Sequence, residues 1–291
     1  MELAVISGKG GTGKSSISAA FATLSERVMV VDCDVDAANL YLLFHPTIHK
    51  EEIYVAGESA IIDESKCTDC GLCMTYCRFD AISEVNGKII INETTCDGCH
   101  LCSRICPEQA ITMVENNKSR MYSGDFRNGK MVYGKLAPGE ENSGKLVAMV
   151  RDEARKTAKE NNLDTIVIDG PPGIGCAVIS SITGVDNVLI ITEPSLSGIH
   201  DLKRTVEMTS KFNIKTWVLI NKYDLNETAT KQIEDLCVHL NINLAGKLPF
   251  DKKFVSAMIN CQSIVEYAPE SDVSKKIAQV FEKINQKPAE R

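Results

Sequence analysis

Eight of the twelve cysteines in this 291-residue chain fall into two copies of one spacing. Cys67, Cys70, Cys73 and Cys77 form C-x2-C-x2-C-x3-C, and Cys96, Cys99, Cys102 and Cys106 repeat it, with Pro107 after the last. The offset is 29 residues at all four positions, and Ala81-Ile82 recurs as Ala110-Ile111 at the same offset. No hydrophobic pattern in the chain constrains the fold as strongly as this duplication. The start, Met1-Glu2-Leu3-Ala4-Val5-Ile6-Ser7, lacks the basic region, long apolar core and cleavage site of a signal peptide. A cytoplasmic, reducing setting is therefore expected, in which the thiols are metal ligands or plain side chains rather than disulfides.

The two runs resemble the ligand sequence of bacterial two-cluster ferredoxins. The resemblance implies two [4Fe-4S] clusters, each bound by four thiolates, with the fourth cysteine of each run serving the other cluster. One cluster would take Cys67, Cys70, Cys73 and Cys106, and the other Cys96, Cys99, Cys102 and Cys77. Zinc also favours C-x2-C pairs. It does not account for the x3 step, for the repetition or for Pro107. Arg78 stands after Cys77, where the second run has proline, and this departure removes no ligand. His100 lies inside a run complete without it, and neither it nor His45, His49, His200 and His239 is given a role.

Upstream, Gly8-Lys9-Gly10-Gly11-Thr12-Gly13-Lys14-Ser15-Ser16 is a phosphate-binding loop. Its glycines let backbone N–H groups approach phosphates, and a helix N-terminus adds favourable potential. Lys14 would reach the β- and γ-phosphates and Ser15 would ligate Mg²⁺. Leu3–Ser7 and Val28–Asp32 read as buried strands flanking an amphipathic helix over Lys14–Ser25, with Ile17, Ala20, Phe21 and Leu24 on one face. Thr165–Asp169, Asn187–Thr192, Thr216–Asn221 and Leu244–Leu248 read as further short strands, with helices such as Gly198–Phe212 and Ala229–Leu240 between them. This alternation predicts an α/β fold, a mostly parallel doubly wound sheet of the P-loop NTPase kind. The cysteine-rich stretch, 56–115, reads as an inserted small α+β domain of bacterial ferredoxin type, leaving 1–55 and 116–291 as a discontinuous ATPase domain. Asn86-Gly87 between apolar runs predicts a hairpin turn. Met121–Ser143, with four glycines, reads as a hairpin or loop, and the apolar stripe of Val273–Asn285 as a packed terminal helix.

Lys9-Gly10-Gly11-Thr12-Gly13-Lys14-Ser15 resembles the phosphate loop of the MinD/ParA/Mrp superfamily, which includes the nitrogenase iron protein. Val31-Asp32-Cys33-Asp34 with Asn39-Leu40 is similar to its first switch, and Ile168-Asp169-Gly170-Pro171-Pro172-Gly173-Ile174-Gly175 to its second. Asn221-Lys222 and Pro249-Phe250-Asp251 resemble its adenine-contacting positions. The resemblance implies that Lys9 reaches across a homodimer formed on ATP binding. It also implies that Asp34 orients the attacking water, that Asp169 holds Mg²⁺ through water and that the Gly173 amide senses the γ-phosphate. Cys176, seven residues after Asp169, is similar in spacing to the cysteine that the nitrogenase iron protein uses for a bridging cluster, but no earlier cysteine is placed to complete such a site. Cys33, Cys237 and Cys261 read as small buried apolar side chains.

Net charge is −7, so the chain has no general footprint for nucleic acid. From Glu58 to Ile111, nine Asp/Glu face four Lys/Arg, which suits a basic partner. No apolar run reaches transmembrane length. The sequence thus points to a dimeric ATPase whose ATP/ADP and Mg²⁺ state controls two clusters. Its cargo would be electrons for a redox partner or, alternatively, metal or cluster for an acceptor protein. A positioning switch of the MinD/ParA type and a plain electron carrier with a vestigial nucleotide fold are the competing classes.

Overall fold

Alternate residues along each central strand are buried on opposite faces of one sheet. Leu3 and Val5, Val28 and Val30, Leu189 and Ile191, and Trp217 and Leu219 belong to a single apolar cluster. Their neighbours Ala4, Ile6, Met29, Val31, Val188, Ile190, Val218 and Ile220 are buried as well. Successive strand side chains point to opposite faces, so continuous burial requires a covering layer on both. The structure is a computed structural model and describes residues 1–140 and 143–286.

Nine strands make the sheet, in the order Asn243–Leu248, Lys215–Asn221, Asn187–Thr192, Glu2–Ser7, Thr165–Pro172, Val28–Asp32, Gly129–Lys135, Ser119–Phe126 and Thr47–Tyr54. Every neighbouring pair from Asn243–Leu248 to Gly129–Lys135 is parallel. On one face the helix Lys14–Leu24 buries Ile17 and Phe21 in the same cluster as Val273, Ile277, Val280, Phe281 and Ile284 of the last helix, Asp272–Asn285. The rings of Phe21 and Phe281 lie 4.9 Å apart. The terminal stripe is therefore committed to the core. The helix Ser143–Glu160 buries Leu146, Val147, Val150 and Ala154. Each large apolar side chain of this kind contributes about 1.5–3 kcal/mol on leaving water.

Two compact units result. The larger comprises Met1–Glu51, Tyr122–Gly134 and Ser143–Arg291, and the smaller Glu52–Met121 with Lys135–Asn142. The sequence pattern places the inserted domain at 56–115 and makes Met121–Ser143 one hairpin or loop. The structure makes that region a hairpin of two strands, Ser119–Phe126 and Gly129–Lys135, and assigns the chain from Lys135 to Glu140 to the smaller unit. Positions 141 and 142 lie outside the described residues. The buried Glu140 carboxylate explains the division. It accepts the Lys118 N–H at 2.8 Å, the Ser119 N–H at 3.0 Å and the Ser119 hydroxyl.

The smaller unit has two antiparallel ribbons, Glu58–Ile62 with Ile111–Glu115 and Ile82–Val85 with Lys88–Ile91. Asn86 and Gly87 close the second, both with positive φ (53° and 77°), as a primed hairpin turn requires. Two short helices, Leu72–Tyr76 and Leu101–Ile105, follow equivalent cysteines. The duplication is visible in the backbone. Asp69 and Gly98 (φ 52° and 68°), Gly71 and His100 (73° and 64°), and Asp80 and Gln109 (50° and 47°) adopt left-handed conformations at matching positions. The apolar core of this unit is small: Ala60, Cys73, Ile82, Ile89 and Ile111, with Cys77, Cys96, Cys102 and Cys106 packed against it.

Within the larger unit Arg151, 4% exposed, donates to Glu2 Oε1 at 2.6 Å and to the Thr183 carbonyl at 2.9 Å. Removing one partner of a buried ion pair strands the other charge. Arg151→Ala should destabilise this unit by about 3–5 kcal/mol, read by the fluorescence of the single, buried Trp217 during denaturation. Lys231→Ala, which removes an exposed pair with Asp235, should leave the same transition unmoved.

Candidate functional site

The loop between the strand Glu2–Ser7 and the helix Lys14–Leu24 turns on Gly11 and Gly13, with φ of 77° and 97°. A side chain at Gly13 would also strike the Asn221 amide. Asn221 is buried, and its Nδ2 donates to the Thr12 carbonyl at 2.8 Å, bracing the loop from the end of a strand two places along the sheet. Lys14 is buried at the start of the helix.

An open cleft of about 650 Å³ lies over this loop, lined by Gly10, Gly11, Gly13, Lys14, Ser15 and Ser16. Across from them stand Asp34, Pro171, Pro172 and Gly175 from the two switch segments. Of the expected site residues, Asp169 lies beneath the cleft rather than in its wall. It is fully buried in register with Asp32 on the adjacent parallel strand. Asp32 accepts the backbone N–H groups of Asp34 (3.1 Å), Asn39 (3.0 Å) and Leu40 (3.1 Å), so one carboxylate shapes the whole first switch. Asp169 Oδ1 accepts the Ser18 hydroxyl at 2.9 Å. Among the described residues its Oδ2 and the Thr12 hydroxyl are buried without a hydrogen-bond partner. Buried polar atoms are almost always satisfied. These two fit an Mg²⁺ ion with its water and phosphate ligands.

Burial raises all three acids. Asp32 is pushed up to about 8 by burial and then by the neighbouring Asp169 carboxylate, against its three backbone donors. Asp169 is pushed up to about 6 by burial, against the pull of Lys14 and the serine hydroxyls. Asp34 is raised by burial and drawn back by Lys14.

Three expected contacts are made elsewhere. Lys9 stays within its own chain, at 3.6 Å from Glu193 Oε2, 3.4 Å from Ser195 Oγ and 3.2 Å from Ser197 Oγ. The Gly173 N–H donates to the Ser7 carbonyl at 2.8 Å, so it must give up that bond to meet a phosphate. Lys222 pairs with Glu193 and approaches the Gly11 carbonyl at 3.5 Å. Asn221, Lys222, Pro249, Phe250 and Asp251 do not line the cleft. The Phe250 N–H is held by Asp224 at 2.7 Å, and Asp251 caps the Lys253 N–H at 2.8 Å. Sequence reasoning missed Glu193, Asp36, Asn39 as a wall residue, and Met258, which lines the cleft and approaches Ser16 Oγ at 3.7 Å. Glu193 alone carried a signal, as an acid directly after a buried strand.

In the smaller unit the thiols sort into two cavities. One, of about 20 Å³, is lined by Cys67, Cys70, Cys73 and Cys106. The other, also of about 20 Å³, is lined by Cys77, Cys96, Cys99 and Cys102 and by Cys73 as well. Among the described residues no three Cys, His, Asp or Glu gather closely enough to hold a single metal ion. The Ala60 and Ala110 N–H groups point at Cys96 Sγ (3.5 Å) and Cys106 Sγ (3.3 Å). His100 is not without a partner: its Nε2 lies 2.8 Å from Glu58 Oε2. Cys33 and Cys237 are buried, Cys261 is half-buried with φ 52°, and Cys176 is exposed at the start of the helix Cys176–Ile182.

A model of the CobQ/CobB/MinD/ParA nucleotide binding domain matches residues 3–264. The chain is a P-loop ATPase of this family. The uncharacterized protein MJ0578 of Methanocaldococcus jannaschii is 34% identical, over 98% of this chain and 97% of its own length. The septum site-determining protein MinD of Bacillus subtilis is 24% identical, over 88% of this chain and 78% of that protein. The cell division ATPase MinD of Pyrococcus furiosus shares the fold, with a TM-score of 0.57 at 18% identity and 97% coverage of both chains. Nucleotide with Mg²⁺ is the ligand that the cleft of this CobQ/CobB/MinD/ParA ATPase fits.

The raised carboxylates give the ATPase a pH dependence of defined sign. Asp32 binds its proton more tightly when folded than in the unfolded chain, whose value is 3.8. Its contribution to stability is full below the unfolded value and is lost as pH rises towards the folded one. The nucleotide-free protein should therefore lose thermal stability between about pH 5 and pH 8, and Asp32→Asn should flatten that slope. A melting temperature independent of pH in the parent chain would contradict the assignment.

Proposed function

We propose that this ATPase couples its nucleotide state to two [4Fe-4S] clusters held in an inserted ferredoxin-type domain. The observation that carries the reading is the placement of eight thiols around two cavities, one lined by Cys67, Cys70, Cys73 and Cys106 and the other by Cys77, Cys96, Cys99 and Cys102, with Cys73 shared between them. That exchange of the fourth ligand belongs to two-cluster ferredoxin ligation. Tetrahedral zinc, with Zn–S near 2.3 Å, would draw its sulfurs to within roughly 4 Å of one another. Among the described residues no three Cys, His, Asp or Glu side chains gather that closely. Cys67, Cys70, Cys73 and Cys106 would hold one cluster, and Cys77, Cys96, Cys99 and Cys102 the other. When bound, such clusters accept and release single electrons.

At the cleft, Lys14 and the loop amides would bind the triphosphate, and Ser15 and Asp169 would hold Mg²⁺, which would neutralise the charge that develops on the phosphates. Asp34, fixed by Asp32 through its own backbone N–H, orients the attacking water. Lys9 rests on Glu193 and would exchange that partner for the nucleotide of a second copy when ATP brings two chains together. The Gly173 amide would exchange the Ser7 carbonyl for the γ-phosphate. Both exchanges replace one charge-assisted or backbone contact by another.

Two further readings have specific support. A cytosolic Fe-S cluster assembly factor, NBP35 of Eremothecium gossypii, is 24% identical over 42% of each chain, which supports delivery of clusters to an acceptor in place of electron transfer. The MinD relatives support a positioning switch. Against the latter, the terminal helix is spent in the core, and no described helix is long and apolar enough to cross a membrane.

Anaerobic reconstitution tests the reading. The parent chain should carry about eight irons, four per cluster, and Cys77→Ser should lose one cluster while retaining ATP binding. An iron content unaffected by both Cys77→Ser and Cys106→Ser would refute it. Redox titration by EPR with MgADP and then a non-hydrolysable ATP analogue separates the two cargoes. A shift of tens of millivolts, where about 59 mV is tenfold for one electron, favours electron transfer, and identical potentials favour delivery.

A further inference from the structure

The duplicated half-sites provide an internal control for surface chemistry. Both halves carry the same cysteine spacing, the same left-handed positions and the same short helix. Their backbones therefore make the same demands on the residues between the cysteines. Their surfaces nevertheless differ. In the first half Leu72, Met74, Tyr76 and Phe79 are exposed by 37%, 36%, 56% and 42%. The 29-residue offset maps these onto Leu101, Ser103, Ile105 and Glu108. There the two apolar residues are half-buried, and the two positions corresponding to Met74 and Phe79 are polar. Exposed apolar side chains concentrated in one short segment mark interaction sites, and nothing in the shared backbone calls for them on one half only.

Placement gives the patch a purpose. Tyr76 and Phe79 line the cavity of Cys77, Cys96, Cys99 and Cys102, together with Asp97. Asp80, next to Phe79, is exposed, and Arg78 between the aromatic residues offsets one acidic charge. The surrounding stretch from Glu58 to Ile111 remains acidic, with nine Asp/Glu against four Lys/Arg. We propose that Met74, Tyr76 and Phe79 form the docking site of a redox partner protein whose contact face is apolar at its centre and rimmed with Lys or Arg. Electrons would pass through the cavity of Cys77, Cys96, Cys99 and Cys102 rather than through the other. This rests on the cluster reading above. Acidic charge around the patch steers such a partner, and the apolar residues hold it for a brief encounter, as small redox interfaces do.

Ferric cytochrome c, a basic protein with an apolar haem edge, serves as the probe. One electron leaves the reduced, reconstituted protein and converts ferric haem to ferrous, with no bond made or broken. Stopped flow should give a second-order rate that falls with salt. Met74→Ser/Tyr76→Ser/Phe79→Ser should lower it at least tenfold while leaving the rate to a small acceptor such as methyl viologen unchanged. Asp80→Asn/Asp97→Asn should flatten the salt dependence, and Glu108→Gln on the second half should change neither. Equal cytochrome c rates in the parent and the triple variant, with both clusters intact by EPR, would overturn the docking site alone. A chain that takes up no iron would overturn the cluster reading and the docking site together, and iron analysis tells the two failures apart.

Discussion

Two buried carboxylates at the ends of adjacent parallel strands organise the nucleotide site. Asp32 and Asp169 are in register, fully buried and without a buried counter-ion of equal number. Like charges at close range in low dielectric cannot both ionise cheaply. The fold answers by giving each a different task. Asp32 collects three backbone N–H groups and so dictates the path of the chain from Asp34 to Leu40. Asp169 keeps one oxygen without a protein partner, above which sits the phosphate loop with Lys14. The site is thus short of positive charge until a cation binds, which makes Mg²⁺ with nucleotide a stabilising ligand of the fold as well as a reactant.

The smaller unit answers a different constraint. Its apolar core is five buried residues, one of them a cysteine, with four more cysteines packed against it. A core of that size does not stabilise a domain unaided, and metal binding is one of the usual supplements. Because thiolates must be deprotonated to bind metal, ligation and folding are coupled. Burial raises the thiols of Cys73 and Cys102 above their ordinary value. The backbone N–H groups of Ala60 and Ala110, which point at Cys96 and Cys106, already offer the contacts a thiolate ligand would need.

Much of this was legible in the sequence, because it rests on local rules. The phosphate loop is written in glycines at positions that need positive φ, the strands in β-branched runs, the hairpin in Asn86-Gly87, and the duplication in cysteine spacing. What escaped rests on distant side chains. Nothing near Glu193 in sequence announces that it would collect both Lys9 and Lys222. Met258 reaches the cleft because the helix Lys253–Ile259 is carried there by tertiary packing. Glu140, in a glycine-rich stretch that reads as a loop, is the carboxylate that ties that stretch to Ser119. Lys9 and Gly173 were legible as site residues but not in the contacts they make here, since their expected partners are a nucleotide and a second chain.

The first switch has a mechanical continuation within the larger unit. Leu40, whose N–H Asp32 holds, begins the short helix Leu40–Phe44. Tyr41 of that helix stacks on Tyr133 at 5.1 Å, and Tyr133 on Tyr122 at 4.9 Å. Phe44 meets Phe126 at 4.5 Å, with Arg127 placed over the Phe44 ring and bonded to the Leu43 carbonyl. These rings grip the hairpin of Ser119–Phe126 and Gly129–Lys135, and packed aromatic contacts of this kind do not deform continuously. A change in the backbone at Asn39 must therefore be met by displacement of the hairpin or by loss of the stack. The segment Tyr122–Gly134 continues at both ends into the chain of the smaller unit. Within the larger unit, movement of the first switch therefore reaches the hairpin through packed rings rather than through a flexible loop.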